Sequence, residues 1–275
     1  MATVLQETAS QPSAPRNSQG RAIVRRAGFP ATKRLLDIAV ASVALLVAGP
    51  LILIAAILVK LTTRGPAFYR AKRAGLWGQP FIMFKLRTMR TGTDSPDRKI
   101  TADEDDRVTP VGWWLRKFKI DEVPQFWNVL RGDMAIVGPR PEDWDIVERY
   151  YTAEQRRSLD VRPGIASPVD VNWYPDLTYH DPAPPGVPMQ EHYLQRHLPV
   201  QVAEAIRYVE RQSLWLDAEV ILRMIFCVLV RSWLPSVKQL PVVRPESSQG
   251  VVATTANSRT PCEDSGRAPL PSREK

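Results

Sequence analysis

The sequence predicts an α+β chain: an N-terminal re-entrant helix–break–helix membrane segment, then a small cytosolic domain of short helices and a few strands with amphipathic helices at the membrane interface. Three observations predict it. Ile38 to Val59 is a run of 22 uncharged residues interrupted by Gly49 and Pro50. Strand-like stretches at Ala67–Tyr69 and Pro80–Met89 flank a turn containing Gly75 and Gly78. Beyond residue 110, short helical segments end at turn residues rather than running on.

Taken in order, residues 1–30 are rich in Ser, Pro, Gln and Gly without apolar periodicity and read as a disordered tail, as do residues 239–275. The membrane segment occupies 31–62 and the cytosolic domain with its interfacial helices 63–238. Across the 275 residues, 44 % apolar content excludes wholesale disorder, while 25 prolines imply long irregular segments. Two cysteines, Cys227 and Cys262, exclude a disulfide framework, and three histidines lack metalloprotease spacing. The net charge of +8 asks for an anionic partner. Between Lys60 and Thr93 stand eight basic residues and no acid, so the excess is a strip directly after the apolar segment rather than a diffuse charge. That placement favours anionic lipid and phosphorylated substrates and leaves nucleic acid the least favoured partner.

The apolar segment is long enough to enter a bilayer. Pro50 removes a helix hydrogen bond in its middle, and each half, roughly 15 Å long, covers only half of a hydrocarbon core. Basic residues lie on both flanks (Arg25, Arg26, Lys33 and Arg34 before; Lys60, Arg64, Arg70, Lys72 and Arg73 after), which assigns both ends to the cytoplasm. A hairpin bending at Gly49 and Pro50 satisfies this; a kinked span and a buried soluble helix are the alternatives. A second apolar run, Val220–Val230, reads as an interfacial amphipathic helix or as a core helix.

In the middle of the chain, alternation along Phe81–Met89 puts Lys85 and Arg87 on one strand face, suited either to clamping a phosphate or to keeping an edge strand soluble. The acidic stretch 94–106 reads as a solvated loop. Gly112–Ile120 is an aromatic and basic helix, followed by a short one with Asp121 as N-cap, Pro124 in its first turn and Gly132 as its stop. Asp121 and Glu122 are then either caps or, with Arg116, Lys117 and Lys119 beside them, a phosphate-handling pair in which an Asp carboxylate can serve as nucleophile. Arg140, fixed between Pro139 and Pro141, is pre-set to project its fork toward a phosphate or a surface carboxylate, and Arg162 in Val161-Arg162-Pro163-Gly164 is similar.

At Lys33-Arg34-Leu35-Leu36-Asp37, Phe84-Lys85-Leu86-Arg87-Thr88-Met89, Thr109-Pro110-Val111-Gly112, Asp121-Glu122-Val123-Pro124-Gln125, Gly138-Pro139-Arg140-Pro141, Val161-Arg162-Pro163-Gly164-Ile165 and Ser213-Leu214-Trp215-Leu216-Asp217, the chain resembles the bacterial sugar transferase family of monotopic polyprenyl-phosphate phosphoglycosyl transferases. The resemblance covers roughly residues 31–235. It implies an enzyme that moves a sugar 1-phosphate from a UDP-sugar to undecaprenyl phosphate through a covalent aspartyl-phosphosugar and releases UMP, initiating exopolysaccharide, capsule, O-antigen or other glycoconjugate synthesis. By the same resemblance Asp121 is the nucleophile and Glu122 assists with Mg²⁺ or the proton. The two acids hold the Mg²⁺, and Lys85, Arg87, Arg116, Arg140 and, less directly, Arg162 contact phosphates. The expected location is the bacterial inner (cytoplasmic) membrane with the catalytic domain on the cytoplasmic face. Expected partners are UDP-sugar, polyprenyl phosphate and inner-membrane lipid, with a homodimer admitted. A catalytically idle, membrane-anchored scaffold binding anionic lipid is the competing reading.

Two departures from the family pattern stand out. The bend carries Gly49-Pro50 where Ser-Pro is common, and Ile165-Ala166-Ser167-Pro168-Val169-Asp170 replaces a Thr-Gly-x-Trp-like stretch before the Pro-rich segment 181–188.

Overall fold

Alternating side chains from residue 68 onward fold into an antiparallel hairpin, β1 (Phe68–Ala74) and β2 (Pro80–Leu86), with Phe68 opposite Leu86 and Ala71 opposite Met83. The structure is a computed structural model that describes residues 29–92, 105–172, 183–184 and 186–228. The C-terminal tail, the N-terminal tail before Phe29, most of the acidic stretch, parts of the Pro-rich segment and the end of the second apolar run lie outside the described residues.

One helix, α1 (Phe29–Thr62), contains the apolar segment and continues through Pro50. Its middle is bare: Val43, Leu46, Val47, Leu53 and Ile54 are all more than half exposed. Its two ends are held. Near the start, Arg34 donates to the carbonyls of Val129 (2.6 Å) and Leu130 (3.0 Å), and Asp37 Oδ1 accepts from the Ile136 amide (3.1 Å). Lys33 pairs with Asp217 at 2.6 Å. Near the finish, Ala55 and Val59 pack against Leu86 and Leu115, and Arg87 donates to the carbonyl (3.0 Å) and hydroxyl (2.6 Å) of Thr63. Both ends therefore grip one body.

Within that body, α2 (Pro110–Lys117) starts at Thr109, whose hydroxyl accepts from the Gly112 amide (2.9 Å). Gly112 lies so close to the strand that a Cβ there would stand 2.0 Å from the Thr88 carbonyl oxygen. No other residue allows α2 to lie on the extension of β2. A single turn, Ile120–Glu122, leads to α3 (Gln125–Arg131), which stops at Gly132 as expected. Its start differs from expectation: Pro124 is the N-cap, and Asp121 lies four residues upstream in the turn. Lys119 adopts the left-handed backbone (φ 57°) between α2 and this turn, and the break it creates separates Asp121 from the helix.

The parallel pair β3 (Ala135–Val137) and β4 (Gly164–Ala166) is joined by a crossover carrying α4 (Trp144–Tyr150). Gly138 and Gly164 face each other backbone to backbone; a Cβ on Gly164 would come within 2.1 Å of the Gly138 nitrogen. Gly138 and Gly164 thus let the Arg140 loop lie directly on the Arg162 loop. Beyond β4 follow α5 (Pro168–Asn172), α6 (Met189–His192), α7 (Leu198–Arg211) and α8 (Leu214–Phe226). The main core joins Ala41, Met83, Val129, Met134, Val137, Tyr208 and Val220.

Asn128 closes this assembly. It is fully buried within α3; its Oδ1 accepts from the Phe84 amide (3.0 Å) and its Nδ2 donates to the Ile82 carbonyl (2.7 Å), so the side chain acts as a neighbouring strand on the open edge of β2. Asn128→Ala leaves a buried amide and carbonyl unpaired, at a cost of about 2–4 kcal/mol. A fall in melting temperature of roughly 5–15 °C is expected, measured by thermal unfolding in detergent.

Candidate active site

Asp121 and Glu122 are presented by a turn rather than by a helix, and their surroundings come from four directions. From β2, Lys85 Nζ donates to Glu122 Oε1 at 2.9 Å. From the α2–α3 connection, Lys119 Nζ stands 3.7 Å from Glu122 Oε2. From α2, Arg116 donates through Nε to the Thr88 hydroxyl (2.8 Å), and its charge acts on Asp121. From the β3–β4 side, the charge of Arg140 acts on Glu122.

The two carboxyls respond in opposite directions. Burial, followed by the adjacent Glu122 charge, pushes the Asp121 carboxyl up to about 6 against the pull of Lys85, Lys119 and Arg116. For Glu122 burial is again the largest influence and acts upward, but Lys119, Lys85 and Arg140 together outweigh it and hold the group below the usual carboxylate range. Adjacent acids have been driven apart, so Glu122 stays ionised at neutral pH while Asp121 titrates just below it.

Asp121 is 7 % exposed, and its Oδ1 has no hydrogen-bond partner. A buried carboxylate oxygen left unpaired among cations is available for a bond that the protein itself does not supply. Among the described residues no group of three acidic, histidine or cysteine side chains forms a metal cluster. One unpaired carboxylate oxygen with a second carboxylate beside it fits Mg²⁺ shared with a diphosphate, since that ion takes one or two protein carboxylates and completes its shell with phosphate and water.

Of the site residues expected from sequence, Asp121, Glu122, Lys85, Arg116 and Arg140 are brought into electrostatic contact. Arg87 and Arg162 are placed differently: Arg87 is buried against Thr63 at the foot of α1, and Arg162 Nε donates to the Gly132 carbonyl (2.8 Å) behind α3. Alternation puts Lys85 and Arg87 on one side, but β2 ends at Leu86 and the Arg87 side chain turns to Thr63. Sequence reasoning missed Asn128, whose signal was an amide set between Phe126, Trp127, Val129 and Leu130, and Asp170, whose Oδ1 accepts from Arg140 Nη1 at 2.5 Å.

Comparison with known proteins places this geometry. The chain is 39 % identical over 196 residues to a UDP-glucose:undecaprenyl-phosphate glucose-1-phosphate transferase of Caulobacter vibrioides, covering 70 % of this chain and 68 % of that protein. It is 35 % identical over 197 residues to the protein of the same description from Klebsiella pneumoniae, covering 70 % of this chain and 39 % of the relative. It is 32 % identical over 200 residues to a UDP-N-acetylgalactosamine-undecaprenyl-phosphate N-acetylgalactosaminephosphotransferase of Aeromonas hydrophila, covering 72 % and 43 %. The aligned part thus spans two thirds of the first relative and about two fifths of the other two. The model of the bacterial sugar transferase family matches residues 29–231, from the first turn of α1 past the end of α8, and the chain belongs to that family.

Proposed function

We propose that this chain transfers a sugar 1-phosphate from a UDP-sugar to undecaprenyl phosphate, with Asp121 as the nucleophile, at the start of a surface polysaccharide or other glycoconjugate. The observation that carries the reading is the Asp121 carboxyl, buried, unpaired at Oδ1 and surrounded by Lys85, Lys119 and Arg116. In the first step an Asp121 oxygen bonds to the β-phosphorus, the bond from that phosphorus to the oxygen bridging it to the α-phosphorus breaks, and UMP leaves. In the second, an oxygen of the lipid phosphate attacks the same phosphorus and Asp121 departs as carboxylate. Each step brings an anion to an anion, so positive charge at the phosphoryl oxygens is the main requirement. Lys85, Arg116 and Arg140 are the side chains to supply it. Glu122, already ionised and salt-bridged, holds Lys85 and Lys119 in place. Mg²⁺, when bound to Asp121 and Glu122, would neutralise diphosphate charge. Arg87 and Arg162 serve as supports of the scaffold through Thr63 and Gly132.

The same reading has α1 enter the cytoplasmic leaflet and return to its own side as one re-entrant helix turning at Pro50, not as the two helices separated by a break that the sequence predicts. A helix crossing the bilayer delivers its ends to opposite faces, whereas Arg34 and Asp37 at one end and Val59 and Thr63 at the other hold a single body. Pro50 lies midway between these grips, and the intervening apolar residues are exposed. Trp113 and Trp114 on α2, and Leu214, Trp215, Leu222 and Phe226 on α8, are exposed large apolar residues suited to the headgroup region. Cysteines placed just before Lys33 and just after Arg64 should react with a membrane-impermeant reagent from the same side; labelling from opposite sides would establish a span.

Asp121→Asn should abolish UMP release from UDP-sugars in the presence of polyprenyl phosphate and Mg²⁺, and retained turnover would exclude the covalent route. The same variant should melt higher. Because the Asp121 value in the fold, about 6, lies above that of an unfolded Asp, the stability it contributes is full below about pH 4 and lost as pH rises through 6. Removing the charge should therefore stabilise the protein on the order of 1–3 kcal/mol at pH 7.5 and little at pH 4. The wild-type kcat/KM should rise with pH as Asp121 ionises, with the limb at about 6 or lower because Mg²⁺ at the dyad favours the anion. Glu122→Gln should move this limb to lower pH on the residual activity, and Lys85→Met to higher pH.

A further inference from the structure

The backbone of the Arg140 loop is tightly held, yet its side chain is not left to itself. Pro139 and Pro141 flank it, the Gly138 amide donates to the Ala166 carbonyl (3.1 Å), and the Gly164 amide donates to the Pro139 carbonyl (2.9 Å). The guanidinium, with its side chain 42 % exposed, then meets the carboxylate of Asp170 at 2.5 Å. Asp170 stands on α5, which is fixed by Ser167: the buried Ser167 hydroxyl accepts from the Val169 amide (3.2 Å), and its carbonyl accepts from the Val171 amide (3.2 Å). An acid has thus been placed opposite an arginine that also acts on Glu122. In a site that must collect anions, this acid opposes the main requirement.

We infer that Asp170 competes with a substrate phosphate for the guanidinium of Arg140 and so sets the affinity of the site, a role that rests on the transferase reading given above. A carboxylate and a phosphate offer an arginine the same pair of acceptor oxygens, but the phosphate carries more charge. The pair with Asp170 is partly open to solvent, where an ion pair is weak and easily exchanged. Arg140 can therefore leave Asp170 for a phosphate without a large loss, and Asp170 can retake it when the product leaves. Asp170 is a positioning residue that acts through Arg140. The phosphate it yields to belongs either to the nucleotide or to the polyprenyl lipid.

The test is calorimetric titration of UMP, and separately of a short-chain polyprenyl monophosphate in detergent, into the full chain and its Asp170→Asn, Asp170→Glu and Arg140→Ala variants. Asp170→Asn should tighten binding of the phosphate that reaches Arg140 about three- to tenfold, and the ligand that tightens identifies the source. Asp170→Glu, which keeps the charge, should bind close to the wild type, and Arg140→Ala should weaken the same ligand roughly tenfold. A merely structural ion pair can lower the melting temperature when broken but does not raise affinity. Unchanged or weaker binding of both ligands to Asp170→Asn overturns the proposal. Wild-type protein that binds neither ligand overturns the transferase reading, and this proposal with it.

Discussion

The geometry of the dyad depends on the side-chain amide of Asn128. Two of its hydrogen bonds dock α3 on the edge of β2, and a third, from Nδ2 to Asp133 Oδ2 (3.1 Å), ties down the chain leaving the helix. The Asn128 carbonyl accepts from the amides of Gly132 and Asp133, which closes the turn toward β3. Lys85 lies on β2, one residue beyond the docked amide of Phe84, and Glu122 lies three residues before α3. Docking of α3 on β2 is what brings these two within 2.9 Å. An apolar residue of similar size at 128 would fill the same volume but leave the strand edge unsatisfied, and the ion pair would lose its fixed spacing.

Once the spacing is fixed, the electrostatics follow. Two adjacent carboxyls cannot both ionise cheaply in a buried turn, and the lysines decide which one does. Lys85 and Lys119 both lie against Glu122, so it takes the ionised state, and burial followed by the Glu122 charge raises Asp121. The result is a carboxyl that is less comfortable as an anion than an exposed one. In the proposed transfer such an anion would gain more from a bond to phosphorus, because bond formation removes charge from a place where it is poorly solvated. The instability is confined to one side chain while the scaffold around it is well paired.

Much of this was legible in the sequence, and the failures have physical causes. The β1–β2 hairpin, the stop at Gly132, the apolar segment and the grouping of Asp121, Glu122, Lys85, Arg116 and Arg140 follow from local pattern or from family-specific blocks. The N-cap assignment for Asp121 failed because capping rules presume that the helix begins at the next residues, and nothing local announces the left-handed Lys119 that delays it. Pairing Lys85 with Arg87 followed strand periodicity beyond Leu86, where the strand had ended. Asn128 and Asp170 were missed for a different reason. Each makes its decisive contact with a residue 30 or more positions away, Asn128 with Phe84 and Ile82 and Asp170 with Arg140. Such contacts are properties of the packed fold, not of spacing.

The anchoring of α1 is part of the catalytic architecture rather than an attachment to it. Arg34 bonds the last carbonyls of α3, the helix that follows the dyad, and Asp37 bonds Ile136 on β3, four residues before Arg140. At the other end Arg87, two residues beyond Lys85, holds Thr63. Lys33 adds a link to α8 through Asp217, whose other oxygen lies 2.7 Å from the Tyr208 hydroxyl. The β2, α3 and β3 segments around the dyad therefore each have a grip on α1 within a few residues. A change in how α1 sits must be felt at these grips, because buried hydrogen bonds and close packing transmit displacement rather than absorb it. For an acceptor phosphate carried on a lipid, this arrangement fixes the height of Asp121 relative to the apolar face of α1. Under the proposed transfer, the depth of insertion would become a geometric term in the second chemical step, since the attacking oxygen and the phosphorus would meet only where α1 holds the turn at headgroup level.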